Sequence, residues 1–408
     1  MVPKGWELVK LDDIAFKVMV GIASAATHAY TNSGVRMLRN LNIKDGWIDD
    51  SDILHIEKSY EIQHKNKRLK VGDILTVRTG YPGLSAVVPD IYENAQCFTS
   101  LITRLDQTKA LPNYVCRFIN SEYGKKFIAS GEAGGAQKNV NAAMLKKMLI
   151  PLPPLSEQQK IAQLLSTWDN AISTTEKLIA NSRQQKKALM QQLLTGKKRL
   201  VDSETGKAFE SEWDEVRLNK LGTIVSGGTP STSSIDYWNG DICWVTPTDI
   251  TKLRTKVIKN TARKITHLGM KNSSAQLVPA GSLLVCTRAT IGELAITQKE
   301  MCTNQGFKNI ILNKNGNVDF LYYLLSFEKN KLLSKACGST FLELSKKDFG
   351  SLIFNLPMLN EQKVIASVLS TADKEIELLE AKLAHFKQEK KALMQQLLTG
   401  KRRVNVAA

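Results

Sequence analysis

Four glycine-bearing corners in this 408-residue chain gather side chains whose chemistry suits the edge of a base pair: Arg78-Thr-Gly-Tyr-Pro-Gly83, Gly134-Gly-Ala-Gln-Lys-Asn-Val140, Arg288-Ala-Thr-Ile-Gly292 and Asn304-Gln-Gly-Phe-Lys308. Arg, Lys, Asn and Gln carry donors that match base edges, and Thr or a backbone amide can hold a phosphate. The candidate contacts are Arg78, Thr79, Tyr81, Gln137, Lys138, Asn139, Arg288, Thr290, Asn304, Gln305 and Lys308, with Arg36 and Arg39 in the run Val35 to Ile43. Two basic segments, His64-Lys-Asn-Lys-Arg68 and Lys252-Leu-Arg-Thr-Lys256, add Lys65, Lys67, Arg68, Lys252, Arg254 and Lys256, either as contacts to a polyanion backbone or as solvated edges. Any single corner is equally well an ordinary turn, so the signal lies in the set.

The charge balance points the same way. Fifty-six Lys and Arg against 39 Asp and Glu leave a formal net charge of +17, which attracts polyanions and makes nucleic acid, double-stranded DNA once the resemblance below is counted, the leading partner. A membrane partner would need a basic amphipathic anchor, a lipidation motif or an apolar run of about 18 residues, and the sequence has none of them. Met1-Val2-Pro3-Lys4-Gly5-Trp6 lacks the apolar stretch of a signal peptide, so a cytoplasmic location is expected.

Catalytic signatures are missing. There is no GxxxxGK[ST] phosphate loop, GxGxxG, HExxH or GxSxG, and no asparagine-proline-proline-aromatic tetrad of an amino-methyltransferase. His28, His55, His64, His267 and His385 are dispersed, and Cys97, Cys116, Cys243, Cys286, Cys302 and Cys337 form no CxxC pair. No metal site, disulfide framework or catalytic residue is expected. A reader without chemistry of its own is the preferred class. A coiled-coil scaffold whose basic charge is incidental is the alternative.

The elements that would position these corners come in two copies. Leu155 to Leu200 aligns without gaps on Leu359 to Val404 at an offset of 204, and Lys186-Lys-Ala-Leu-Met-Gln-Gln-Leu-Leu-Thr-Gly-Lys197 recurs letter for letter from Lys390 to Lys401. The halves also begin alike, Trp6-Glu-Leu-Val-Lys-Leu11 beside Trp213-Asp-Glu-Val-Arg-Leu218. Between these landmarks they diverge, apart from echoes such as Val71-Gly-Asp-Ile-Leu75 and Ala280-Gly-Ser-Leu-Leu284. The period is too long for a solenoid. It describes a fused dimer whose halves share a fold and differ in surface, so that each could read a different sequence.

Each repeated segment opens with a proline-bearing strand end and a helix start. Ser156 with Gln159 makes a capping box, Asn360 is the matching cap, and Glu157 and Glu361 place negative charge at the positive end of the helix dipole. Gly196 and Gly400 supply the stops, flanked by Lys197, Lys198, Arg199 and Lys401, Arg402, Arg403. In between, the second copy has Ile365, Leu369, Ala372, Ile376, Leu379, Leu383 and Phe386 at heptad spacing. The first has Ile161, Leu165, Trp168, Ile172, Thr175, Ile179 and Ser182, a weaker seam, and Lys186 and Lys390 interrupt both. Leu189 and Leu193, with Leu393 and Leu397, resume the apolar face. A helix of about 40 residues, roughly 60 Å long, must pack against something. An antiparallel pair with a domain at each end is the economical arrangement. The other possibility, supported by Thr175 and Ser182, is that each helix packs on its own domain.

The expected fold is α+β: two similar domains at 1–150 and 207–355, joined and followed by long helices at 151–206 and 356–408 that form an antiparallel coiled coil with pseudo-two-fold symmetry. Strand-like runs fall at Val35 to Ile43, Ile74 to Arg78, Ser85 to Val88 and Leu101 to Arg104, before a helix near Asn113 to Ile128. The second domain repeats the order with Cys243 to Thr246, Leu283 to Thr287, Glu293 to Thr297 and Asn309 to Leu312, before a helix near Asp319 to Lys335 capped by Asp319.

Taken together, Pro153-Pro-Leu-Ser-Glu-Gln158, Leu356-Pro-Met-Leu-Asn-Glu-Gln362, the paired Leu-Leu-Thr-Gly-Lys endings, Ala289-Thr-Ile-Gly-Glu-Leu-Ala-Ile296 and Thr303-Asn-Gln-Gly-Phe307 resemble the specificity subunits of type I restriction-modification systems. The resemblance covers essentially the whole chain. It implies target-recognition domains that each read one part of a bipartite asymmetric DNA site, and helices that set the spacer and dock two methyltransferase subunits, with motor-nuclease restriction subunits joining afterward. It also implies that S-adenosylmethionine, ATP and Mg belong to those partners and that this chain holds no cofactor. Asn94-Ala-Gln-Cys-Phe-Thr99 matches the Thr303 to Phe307 motif only loosely.

Overall fold

The computed structural model describes residues 2–24, 26–130, 139–202, 205–336 and 342–405. It divides into two compact units, Met1–Glu176 with Ala381–Ala408, and Lys177–Glu380. Gln137, Lys138 and Cys337 lie outside the described residues.

In the first unit the alternating apolar runs pair into an antiparallel sheet ordered Ala15–Val20, Leu101–Leu105, Ile74–Thr76, Ser85–Val87. A smaller sheet runs Tyr30–Thr31, Leu54–Ile56, Val35–Leu38, Gln96–Cys97, the last pair parallel. Glu7–Lys10 pairs with Leu149–Leu152, bringing the start of the domain against its end. The second unit repeats the plan. Gly222–Ser226, Lys308–Leu312, Leu283–Val285 and Leu294–Thr297 make the main sheet, extended by Val257–Ile258. Arg263–Ile265, Trp238–Val245 and Cys302–Thr303 make the smaller one, again with a parallel last pair, and Asp214–Arg217 pairs with Ile353–Leu356.

Several boundaries differ from the expectation. The run from Val35 ends as a strand at Leu38, because Asn40–Asn42 turns the chain. The helix expected over 113–128 is two, Pro112–Asn120 and Glu122–Ser130, broken where Ser121 takes an extended conformation and its hydroxyl donates to the Phe118 carbonyl. The helix expected over 319–335 is also divided, into Val318–Phe327 and Lys329–Ser334. Its cap is Asn317, whose side chain accepts from the Phe320 amide at 2.9 Å. Asp319 instead pairs with Lys256.

The two long helices are Leu155–Leu193 and Leu359–Leu397. Each begins one residue before its expected cap, so Ser156 and Asn360 fall inside the first turn. The starts are anchored by Gln158 and Gln362. The Gln158 amide donates to Pro153 O and Lys109 O and accepts from Leu111 N, all within 3.0 Å. Gln362 likewise donates to Pro357 O and accepts from Asn317 N. Both helices end before a left-handed glycine, Gly196 at φ 69° and Gly400 at φ 72°, a conformation that costs glycine nothing.

In the first unit the front of the central helix lies antiparallel to the back of the C-terminal one. Arg403 grips Glu157 with two nitrogens at 2.7 and 3.1 Å, Trp168 meets Phe386 edge to face at 5.6 Å, and Lys390 Nζ lies 2.5 Å from Asp169. The second unit repeats the two ion pairs with the copies exchanged, while Ala372 and Ser182 stand where the first has Trp168 and Phe386. Arg199 grips Glu361 at 2.7 and 2.8 Å, and Lys186 bonds Asp373. The two lysines that seemed to interrupt the seam therefore form its ion pairs. Ser182 is buried with its hydroxyl 3.3 Å from Glu375, and the Thr175 hydroxyl bonds Ala171 O, so neither polar position opens the seam to water.

The apolar ends of the seam belong to the domain cores as well. Ile161, Leu165, Leu393 and Leu397 pack with Leu11, Tyr114 and Phe118, while Leu189, Leu193, Ile365 and Leu369 pack with Phe320, Tyr323 and Phe349. Ile179 and Ile376 are buried along the middle, and Ile172, Leu379 and Leu383 are half-buried. A polar grip reinforces each end. Arg117 bonds Asp169 and Ser166 in one unit, and Lys256 bonds Ser370, Asp319 and the Tyr323 hydroxyl in the other, where Tyr323 in turn donates to Asp373.

Candidate nucleic-acid interface

In the first unit the strand Ile74–Thr76 runs into the corner at Arg78. Gly80 and Gly83 take φ of 87° and 92°, and a β-carbon at Gly83 would strike Ile128 at 2.6 Å, so the turn requires glycine twice over. Arg78 exchanges hydrogen bonds with Val140, which sews the corner to the segment carrying exposed Asn139. Asn40 gathers the neighbouring hydroxyls: its amide nitrogen lies 3.2 Å from Thr79 Oγ1 and 3.5 Å from Thr99 Oγ1, and its oxygen accepts from Ser100. Tyr81 stands out from the corner, 79% exposed.

In the second unit Ala289 takes φ 62° where the first has Gly80, and Thr290 N donates to Arg288 O at 2.7 Å. That is a tight three-residue turn of the strained hand. Thr287 N donates to Gly306 O, joining this corner to Asn304 and Gln305, and Asn304 Oδ1 accepts from Gly306 N. Gln305 is exposed and bonds Thr229. Glu343 closes the far side, accepting from Arg288 Nε at 3.0 Å and from its Nη2, with Lys308 Nζ at 3.7 Å.

The remaining candidates divide by what already holds them. Lys65, Lys252 and Arg254 are exposed. Arg36 donates to Ile91 O and lies over the Tyr92 ring, Arg39 pairs with Asp52, and Lys67 donates to Gly21 O. Arg68 is bidentate on Glu61, whose carboxyl is held below the usual carboxylate range by that guanidinium against the opposing effect of burial. Two expectations need correction. Lys256 is taken up by the grip on the helix, and Lys308 is only 6% exposed, its ammonium lowered in pKa by burial. Lys256 is half-buried with its charge spent on Asp319, and Lys308 is buried.

Asn40, Thr99, Glu343 and Arg263 were not foreseen. The Arg263 guanidinium lies 3.8 Å from the Trp238 ring centre and 5.2 Å from that of Trp244. A register shift between Trp238 and Ile242 bends the strand so that the Trp238 and Trp244 rings meet at 5.0 Å, and neither this contact nor the pairing with Arg263 is written in local spacing. The first domain's loop after Gln96–Cys97 does match its counterpart in backbone, since Phe98 N bonds Leu38 O as Asn304 N bonds Val245 O. Its side chains differ, with Thr99 at φ 58° in place of the Asn-Gln-Gly run.

Among the described residues no group of three or more His, Cys, Asp and Glu is placed to hold a metal, and no helix is long and apolar enough to cross a membrane. Burial raises Cys97, Cys116, Cys286 and Cys302 to about 12, so these thiols stay protonated at neutral pH.

A family model described as the type I restriction modification DNA specificity domain matches twice, over residues 3–181 and 210–388. The putative type I restriction enzyme MjaX specificity subunit of Methanocaldococcus jannaschii is 30% identical over 99% of this chain and 95% of its own. The EcoR124I/EcoR124II specificity subunit of Escherichia coli is 26% identical over 67% of this chain and 66% of its own. The fold is shared with the HsdS subunit from Thermoanaerobacter tengcongensis, at TM-score 0.54 and 20% identity over 98% of both chains. It is shared also with a chain solved in work on complex assembly and conformational transition of the type I R-M system, at TM-score 0.63 and 21% identity over 98% of this chain and 100% of that one.

Proposed function

The chain belongs to the type I restriction-modification DNA specificity family, and from that premise we propose that it recognises a bipartite, asymmetric DNA site, one half-site for each domain. The observation that carries this reading is a duplicated fold with unlike corners. Both domains share the four-strand order of the main sheet, which the second extends by Val257–Ile258, and both turn after its third strand, yet where one presents Arg78, Thr79 and Asn40 the other presents Arg288, Asn304 and Gln305. Equal frames with different donors are what reading two sequences requires.

In this reading the helices fix the length of unread DNA between the half-sites and dock two modification subunits. S-adenosylmethionine and methyl transfer belong to those subunits. ATP, Mg and DNA cleavage belong to restriction subunits that join them, and the assembly works in the cytoplasm.

Exchanging residues 1–150 for the corresponding domain of a relative, within the assembly with modification subunits, tests the assignment. Methylation should move to a sequence with one half-site changed and the other kept. A scaffold protein with incidental charge would leave the modified sequence as it was.

A further inference from the structure

We propose that Arg288, held on its flank by Glu343, reads a guanine in the half-site of the second domain. This rests on the DNA-reading assignment above and names one determinant of it.

The argument begins with the guanidinium. Arg has five N–H donors in a rigid fork, and Glu343 accepts from Nε and from one side of Nη2 through a single oxygen, Oε2. That engages the side of the fork and leaves its end, the paired N–H groups of Nη1 and Nη2, directed away from the carboxylate. Guanine O6 and N7 form the matching pair of acceptors in the major groove.

The setting supports a base contact over a phosphate contact. Arg288 is 45% exposed and Glu343 33%, so the pair is reachable from solvent. The carboxylate offsets part of the positive charge of Arg288 and Lys308 and would repel a phosphate approaching from its side, whereas a neutral base edge meets only oriented donors. Beneath them Lys308 Nζ sits 3.7 Å from the other oxygen, Oε1, and holds the carboxylate from behind.

The backbone fixes the fork in turn. Arg288 pairs with Glu343 in an isolated antiparallel bridge, Leu344 N donates to Thr287 O, and Ala289 holds the left-handed turn that directs the corner outward. Arg68, similarly bidentate, differs in that its partner Glu61 is buried in the domain and a second arginine, Arg104, donates to its carbonyl. Glu343 acts through Arg288 and is thus a positioning residue.

The test uses the full chain assembled with its modification subunits, comparing Arg288→Lys and Glu343→Gln with the wild type on a library of duplexes. Arg288→Lys keeps the charge and a partner for Glu343, so it remains informative should Glu343→Gln fold poorly. Both should relax one G·C position in one half-site, with discrimination there falling about 10- to 100-fold. The other half-site and the salt dependence of binding should stay unchanged. An effect of equal size on every sequence, with no position relaxed, would make Arg288 a phosphate contact and overturn the proposal. An unchanged sequence preference, or a half-site pair without any G·C position, would also overturn it. If the wild-type assembly modifies no split sequence, it is the DNA-reading assignment that fails instead.

Discussion

Glu157 shows how single side chains hold this architecture. Burial pushes its carboxyl up, but the Arg403 guanidinium and the Trp6 indole N–H together bring it below the usual carboxylate range. A carboxylate depressed in the folded state contributes stability that is complete above the unfolded value of about 4.3 and is lost as pH falls through the folded one. Melting temperature should therefore hold steady from pH 7 to about pH 5 and drop below it. Glu157→Gln should melt lower at pH 7 and show a shallower acid decline; parallel curves for the two proteins would contradict this. Gln158 makes a different case, because its amide satisfies Leu111 N, Pro153 O and Lys109 O around a buried helix start. Gln158→Ala should cost about 1–3 kcal/mol in denaturant unfolding, the penalty of polar groups left without partners. A change within experimental error would show that water replaces the amide.

At the scale of elements, the helices carry the design. Leu165 and Leu369 are fully buried where seam and domain core coincide, so truncating either to Ala should destabilise by about 2–5 kcal/mol, more than the half-buried Leu379 or Leu383 in mid-helix. Equal losses at all four positions would mean that the ends are no better packed than the middle. If the helices set the spacer, adding four residues to each, about 6 Å of rise, should lengthen the unread DNA by one or two base pairs, read from the modified sequence. An unchanged spacer would separate the helices from that role.

These helices were legible because heptad spacing and terminal glycines are local signals, written within about 40 residues. The ion pairs were not, because Lys186 and Asp373 are far apart in the chain and each looks like a surface charge until its partner is placed. The small sheets were missed for the same reason: strands of two or three residues such as Gln96–Cys97 are defined by distant partners rather than by their own pattern. At the candidate interface, Gly80, Gly83 and Gly292 take the left-handed backbone that marks a turn. Only the geometry distinguished exposed Lys65 and Lys252 from Lys256, which is tied to Asp319, and Lys308, which is buried.

At the scale of the whole molecule, the charge of +17 and the duplicated fold bear on one partner. If the bound assembly neutralises roughly eight phosphates, log affinity should fall against log salt with a slope near −7, and a salt-independent affinity would leave the charge without a role. The central claim, that two unlike domains read two unlike half-sites, is tested most directly by single-molecule sequencing of DNA methylated by the assembly that contains this chain. The account predicts one split motif, its halves different in sequence and separated by a spacer of constant length and free composition. A contiguous motif, or two identical halves, would contradict it.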